Sequence, residues 1–143
     1  MTEKYSGTIP YTIIDGAILY LLIKSKITGL CSFPTGHTET GESETETALR
    51  ETLEETSLHV DINSKVRFEI SYVLSNGNTK TVVYFPARFF NQSPRRNGSF
   101  EDYEYMLLTY NDAYAHLSYG NLRKILSATN DILTDQNQKI SLD

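Results

Sequence analysis

Val66, Phe68, Ile70 and Tyr72 are apolar or aromatic and alternate with polar neighbours, a period of two that predicts a half-buried strand over residues 66–74. A second run, 79–90, returns from it about Asn76-Gly77, a dipeptide that favours tight hairpins. Pro86 falls inside that run, and because proline cannot donate to a ladder, an edge position or a bulge is expected there. Residues 8–14 and 17–24 are apolar, β-branched or aromatic and are joined by Asp15-Gly16, which predicts another hairpin. Residues 103–109 read as a further strand. Toward the C-terminus the period lengthens. Leu122, Ile125, Leu126, Thr129 and Leu133 form the stripe of a helix from 119 to about 133, preceded by a shorter helix over 111–117. The polar segment 134–143 is expected to fray as a tail. Strands with a helix between them and helices at the end imply an α+β arrangement, a mixed sheet flanked by helices.

The middle helix carries the chemistry. Residues 36–58 read GHTETGESETETALRETLEETSL, and Ser43 with Glu46 has the form of a capping box, so a helix starts there and runs through Ala48, Leu49 and Leu53 to about Thr56. Glu51 and Glu55 are then one turn apart with Glu54 beside them, which places three carboxylates on one face. Like charges so spaced repel by a few tenths of a kcal/mol per pair, and a chain that keeps them together neutralises them with something. Hard oxygen ligands suit Mg²⁺ or Mn²⁺, which retain waters and complete their shell with substrate phosphates. Arg50 has the fork geometry to hold Glu42 bidentately and so fix the preceding loop. Glu44 and Glu46 read as an ordinary solvated face.

At 143 residues the chain is expected to form one domain, 1–143. It lacks both an apolar run of about 18 residues and a basic start leading into an apolar segment, so neither a membrane span nor a secretory signal is expected, and a cytoplasmic location follows. The single Cys31 and three scattered histidines have no zinc-type spacing, and Cys31 reads as a small buried thiol. A net charge of −5 disfavours long nucleic acid as a partner but is compatible with a small phosphorylated substrate bridged by metal. The basic pair Arg95-Arg96 sits in a Pro/Gly/Ser/Asn-rich stretch that reads as an exposed loop.

Gly36, Glu42, Arg50, Glu51, Glu54 and Glu55 fall at the intervals of the Nudix box, G-x5-E-x7-R-E-U-x-E-E-x-G-U with U aliphatic, and on this ground the chain resembles the Nudix hydrolases. The resemblance implies an α/β/α sandwich with a loop-helix-loop motif, and Mg²⁺-dependent hydrolysis of a nucleoside diphosphate linked to another group. Its metals, two to three in number, would lie on Glu51, Glu54, Glu55 and the Gly36 carbonyl. Two positions depart from the box: Ser57 stands for glycine and Thr52 for an aliphatic residue. Neither change removes a ligand.

Outside the box, PTGHTETGES, KTVVYFPARFF and FEDYEYMLLTYNDAYAHLSYGNLRKIL are similar to the asymmetric diadenosine tetraphosphate hydrolases. That resemblance implies ATP and AMP as products. It also assigns roles. Glu101 would be a further metal ligand or the general base, with Asp102 or Glu104 as alternates and Glu54 itself a second candidate base. Lys80 and His37 would contact phosphate, and Tyr84 and Tyr119 would sandwich adenine, although a solvent-facing lysine, a turn-stabilising histidine and core tyrosines are the plainer readings. Thr35 replaces a lysine usual in that subfamily, so other nucleotide pyrophosphatases, such as those acting on nucleoside triphosphates, are alternatives, as is a nucleotide-binding regulatory module without chemistry. Monomer and homodimer are both compatible with the sequence.

Overall fold

In the computed structural model, residues 2–95 and 103–141 are described, with side chains as far as 135. The chain order is β1 (Thr2–Ile14), β2 (Ala17–Ser25), β3 (Cys31–Ser32), β4 (Thr35–His37), α1 (Glu44–Thr56), β5 (Asp61–Ile62), β6 (Phe68–Val73), β7 (Thr79–Arg88), β8 (Tyr103–Leu108), α2 (Tyr110–His116) and α3 (Gly120–Ser141). All eight strands join one mixed sheet, as the alternation and the box both imply. Both hairpins form as expected, β1 with β2 and β6 with β7. The short strands β3, β4 and β5, of two or three residues each, carry too little pattern to be seen in the sequence.

β1 begins at Thr2, six residues before its apolar run, because all but its last three residues pair in parallel with β7, from Thr2↔Thr79 to Tyr11↔Arg88. A parallel pairing between segments so far apart leaves no local signal. On its other edge β1 has two successive partners. Tyr11 to Ile14 pair with β2, while Tyr5 to Gly7 pair with β4. The sheet therefore forks, with β2 and β3 leaving on one side of the gap and β4 on the other. Gly7 lies at the fork, where a Cβ would overlap the Pro34 carbonyl and Thr35.

Alternation along β7 separates the two faces of the sheet. Val83 and Phe85 pack with Ala48 of α1, whereas Val82 and Tyr84 join the core under α2 and α3. The α3 stripe holds as expected, with Leu122, Ile125, Leu126, Thr129 and Leu133 all buried. No helix among the described residues is long and apolar enough to cross a membrane.

Pro86 corrects an expectation. It lies within the interior strand β7, between β1 on one side and β5 and β6 on the other. Its carbonyl accepts from the Asn63 amide at 2.9 Å, beyond the last β5 pairing at Ile62↔Ala87. In an antiparallel ladder such a pair exchanges two bonds, and the returning one is the bond a proline cannot donate. The ladder stops there, and β6 resumes pairing only at Tyr84.

The sheet-facing side of α1 is built of Thr47, Ala48, Thr52 and Thr56, while Leu49 and Leu53 are exposed. Thr52 is fully buried, and its hydroxyl pairs with that of the equally buried Thr8 at 2.7 Å. The Thr56 hydroxyl donates back to the Thr52 carbonyl at 2.6 Å. Removing one member of a buried hydroxyl pair strands the other, whereas removing both is nearly neutral. Thr8→Val or Thr52→Val alone is expected to cost about 1–2 kcal/mol and the double variant less than their sum, with a coupling of about 1 kcal/mol in urea denaturation. Strict additivity would overturn the pair.

Candidate active site

Ser43 caps α1 as expected: its hydroxyl accepts from the Glu46 amide at 3.2 Å, and the Glu46 carboxylate accepts from the Ser43 amide at 2.9 Å. At the other end Ser57 takes the left-handed conformation at φ 61°, donating its amide to the Leu53 carbonyl at 2.8 Å. Glycine would adopt that conformation without the cost of about 1 kcal/mol or more that a Cβ brings.

Between the caps, Arg50 gathers the carboxylates. Its Nε donates to Glu42 Oε2 at 2.7 Å and its Nη2 to Glu42 Oε1 at 3.0 Å, the bidentate fork expected from the spacing. Nη1 donates to Glu51 at 2.8 Å and to Glu54 at 3.3 Å, and Nη2 also reaches the His37 carbonyl at 3.0 Å. Glu42 further accepts from the Glu39 amide and the Thr47 hydroxyl, each at 2.9 Å. These bonds hold the Glu42 carboxyl far below its ordinary 4.5, at about 2, with the Arg50 bond the largest cause and the Glu39 amide next. The same bond holds Arg50 above its ordinary range. Burial has the opposite effect on Glu51, raising its carboxyl against the pull of Arg50.

Gly36 lies so close over Glu51 that a Cβ there would overlap the carboxylate. The β4 backbone and the Glu51 carboxylate are thereby held in close contact, and carboxylate and backbone oxygens are the hard donors that suit a divalent cation of the Mg²⁺ kind. Glu54 is more than half exposed on the same helix face. Among the described residues, no three acidic, histidine or cysteine side chains already converge as a metal shell, since Glu51 and Glu54 both turn to Arg50.

Two cavities open at the fork, sharing Ser32, Thr35 and Tyr119. One, of about 510 Å³, lies on the α3 face and is lined by Tyr72, Lys80, Tyr84 and Tyr119. Tyr72 pairs with Lys80 across β6 and β7, so the two share a face. The Lys80 ammonium sits 4.2 Å from the centre of the Tyr5 ring, and His37 meets Tyr5 edge-on at 5.2 Å. Lys80, Tyr84 and Tyr119 are thus brought together, while His37 does not line the cavity and is linked to Lys80 only through Tyr5. Tyr84 differs from its expected role as a stacking plate. Only 6% exposed, it packs edge-on to Phe33 and forms the floor of the cavity. The exposed rings are Tyr119 and Tyr72, the second of which sequence reasoning missed. Its signal was present in the β6 alternation, which gave the face but not its neighbours.

The other cavity, of about 300 Å³, is lined by Glu55 together with Ile23, Ile27 and Leu30. Tyr105 donates its hydroxyl to the Glu55 carbonyl at 2.5 Å, fixing the end of α1 against β8. Glu101, Asp102 and Arg96 lie outside the described residues. Glu104 is exposed on β8, and Arg95 donates its amide to the Thr56 carbonyl at 2.9 Å. Cys31 is buried, as expected.

A carboxylate helix anchored by arginine at a forked mixed sheet, beside a lysine-and-tyrosine cavity, is an arrangement suited to phosphoanhydride chemistry. Residues 13–127 match the NUDIX domain family, and the chain belongs to it. It is a Nudix pyrophosphohydrolase, from a family that binds nucleotide substrates and generally uses divalent metals such as Mg²⁺. No curated protein matches the chain. Among solved structures, a Caenorhabditis elegans Ap4A hydrolase in a binary complex is similar at 24% identity and a TM-score of 0.83, over 93% of this chain and 98% of that one. The NUDIX domain of Shewanella oneidensis NrtR, complexed with ADP ribose, is 15% identical over 93% and 89% of the two chains, with a TM-score of 0.73. The Escherichia coli dihydroneopterin triphosphate pyrophosphohydrolase is 16% identical over 87% and 92%, with a TM-score of 0.69. At these identities the likeness is one of fold.

Because the folded Glu42 carboxyl is depressed, the stability it contributes is complete above its ordinary value and is lost as pH falls from 4.5 toward about 2. Thermal unfolding is expected to show this loss in the wild type, and Glu42→Gln to lack it while starting from a lower midpoint at neutral pH. Parallel acid profiles for the two proteins would refute the assignment.

Proposed function

We propose that this protein hydrolyses a phosphoanhydride in a nucleoside diphosphate linked to a second group, and that its substrate is a dinucleoside polyphosphate such as diadenosine tetraphosphate. The observation that carries the reading is the shared cleft: an aromatic cavity with a lysine at its rim meets, at Thr35 and Tyr119, the cavity that holds Glu55. The similarity to the C. elegans Ap4A hydrolase supports it.

Glu51, Glu54, Glu55 and the Gly36 carbonyl would hold the divalent metals. Once bound, these supply neutralisation of phosphate oxygens and a lowered pKa of water. The residues of the chain do the rest. Lys80 contacts a phosphate of the bound nucleotide, and His37 lies close enough through Tyr5 to act beside it. Arg50 keeps Glu51 and Glu54 placed along α1. Glu54, more than half exposed, takes the proton as water attacks phosphorus and the bridging P–O bond breaks, releasing ATP and AMP. Glu101 shares or replaces that role. The base stacks between Tyr72 and Tyr119 over the floor made by Tyr84. A nucleoside triphosphate is the second reading, favoured by Thr35, which withholds the extra cation a long polyphosphate would use.

A magnesium-dependent panel of diadenosine tetraphosphate, nucleoside triphosphates, ADP-ribose and a capped oligonucleotide, with products identified by mass, tests this. ATP plus AMP as the dominant products is expected; turnover of none would sink the proposal. Glu54→Gln and Glu55→Gln are each expected to lower kcat by about a hundredfold or more with the fold intact by circular dichroism, and near-normal turnover in both would refute their roles. Stacking contributes about 1–3 kcal/mol per base, so Tyr72→Ala should raise KM about tenfold with little change in kcat. An unchanged KM would return the stacking role to Tyr84.

A further inference from the structure

The cavity beside Glu55 differs in chemistry from its neighbour. The aromatic cavity has Lys80 at its rim, whereas among the described residues nothing lining the Glu55 cavity is lysine, arginine or histidine. Its outer wall is the turn between β2 and β3, which presents Ile27 at 77% exposure and Leu30 at 42%. A single exposed aliphatic residue is ordinary. Two lining one cavity together with Tyr119 are a different matter.

That turn is rigid. The Ser25 hydroxyl accepts from the amides of Ile27 and Thr28, both at 3.2 Å. The Gly29 amide donates to the Ser25 carbonyl at 2.7 Å, and the Ser25 amide to the Leu30 carbonyl at 3.0 Å. Thr28 closes it, accepting from the Leu30 amide at 3.2 Å. Gly29 adopts φ 74°, a conformation a side chain would strain. The two aliphatic side chains are therefore presented to the cleft in advance, so that little ordering entropy is lost when something covers them.

Among the described residues a bare phosphate has no cationic side chain to meet on that wall, and its desolvation against Ile27 and Leu30 would be uncompensated there. An uncharged planar group is well matched, because it buries both side chains, while the hydroxyls of Ser25 and Thr28, which accept from turn amides, and that of Ser32 can donate to its polar edge. A molecule whose phosphates cross the shared residues Thr35 and Tyr119 can place one base in each cavity.

We propose that the cavity walled by Ile27 and Leu30 is the seat of the second base of a dinucleoside polyphosphate, and that these two residues set the preference for substrates with two nucleoside ends. The inference rests on the functional reading above and narrows it.

The test compares kcat/KM for diadenosine tetraphosphate with competitive inhibition by AMP, which needs only the aromatic cavity, in Ile27→Ser, Leu30→Ser and the conservative Ile27→Leu. Each serine variant is expected to lose about tenfold in kcat/KM, the size of change that small alterations to an apolar pocket produce. AMP inhibition should stay unchanged, and Ile27→Leu should retain most of the activity. An unchanged kcat/KM in both serine variants overturns the second seat while leaving the phosphoanhydride hydrolase intact. Equal weakening of AMP also overturns it, by making the two cavities one nucleotide site. Wild-type turnover of other nucleotides but not of diadenosine tetraphosphate overturns the two-base substrate alone, and turnover of no nucleotide overturns the functional reading together with it.

Discussion

Arg50 is one cation facing several acceptors, and the geometry of the site follows from how it divides its donors. Glu42 takes two of them in a fork, which a lysine could not reproduce because its ammonium is a point charge without a planar pair of donors. The remaining reach goes to Glu51, Glu54 and the His37 carbonyl. The last contact ties β4 to α1, and so holds Gly36 over the Glu51 carboxylate. A carboxylate whose pKa is raised by burial is poorly satisfied by one guanidinium shared with Glu42, Glu54 and the His37 carbonyl. That deficit is what a divalent cation would remove.

The fork in the sheet decides what this cluster can act upon. α1 packs on one face of the sheet and the tyrosine-lined cavity opens on the other, so in an unbroken sheet the strands would stand between carboxylates and nucleotide. Because β1 changes partners between β2 and β4, an opening is left at Ser32 and Thr35 through which the two faces communicate. Gly7 is the residue that allows β4 to approach closely enough for this exchange. The carboxylate helix and the tyrosine-lined cavity therefore share one dependence, on the register of β1 against β4.

Features set by residues close in sequence are legible in the order of amino acids alone: the capping box, the helix bounds within a residue or so, the Arg50–Glu42 fork and both hairpin turns. The box also points to the family and its fold. What is not legible depends on distant partners. The parallel pairing of β1 with β7 joins segments more than seventy residues apart, and residues 2–7, TEKYSG, are too polar to mark the start of β1 as a strand. Period two places Tyr72 and Tyr84 on strands but says nothing of depth, and depth is what separates the exposed ring from the floor. Pro86 reads as an edge signal because the sequence does not show that the adjacent ladder ends where its missing donor falls.

Thr52 shows why a departure from the family pattern need not weaken the site. An aliphatic residue there would bury more apolar area, but apolar contacts are non-directional and leave a helix some freedom to slide on a sheet. A hydroxyl pair at 2.7 Å does not, since its strength falls steeply with distance and angle. Thr8 lies next to Gly7 on β1, and the Thr8 amide donates to the Pro34 carbonyl at 3.1 Å just before β4. Through that one residue the height of α1 above the sheet and the closure of β4 against β1 are set together. Glu51, on the helix residue preceding Thr52, is thereby brought to the depth at which it meets Gly36. The threonine exchanges some burial for placement, and where a carboxylate is packed as tightly against a strand as Glu51 is against Gly36, placement is the scarcer quantity.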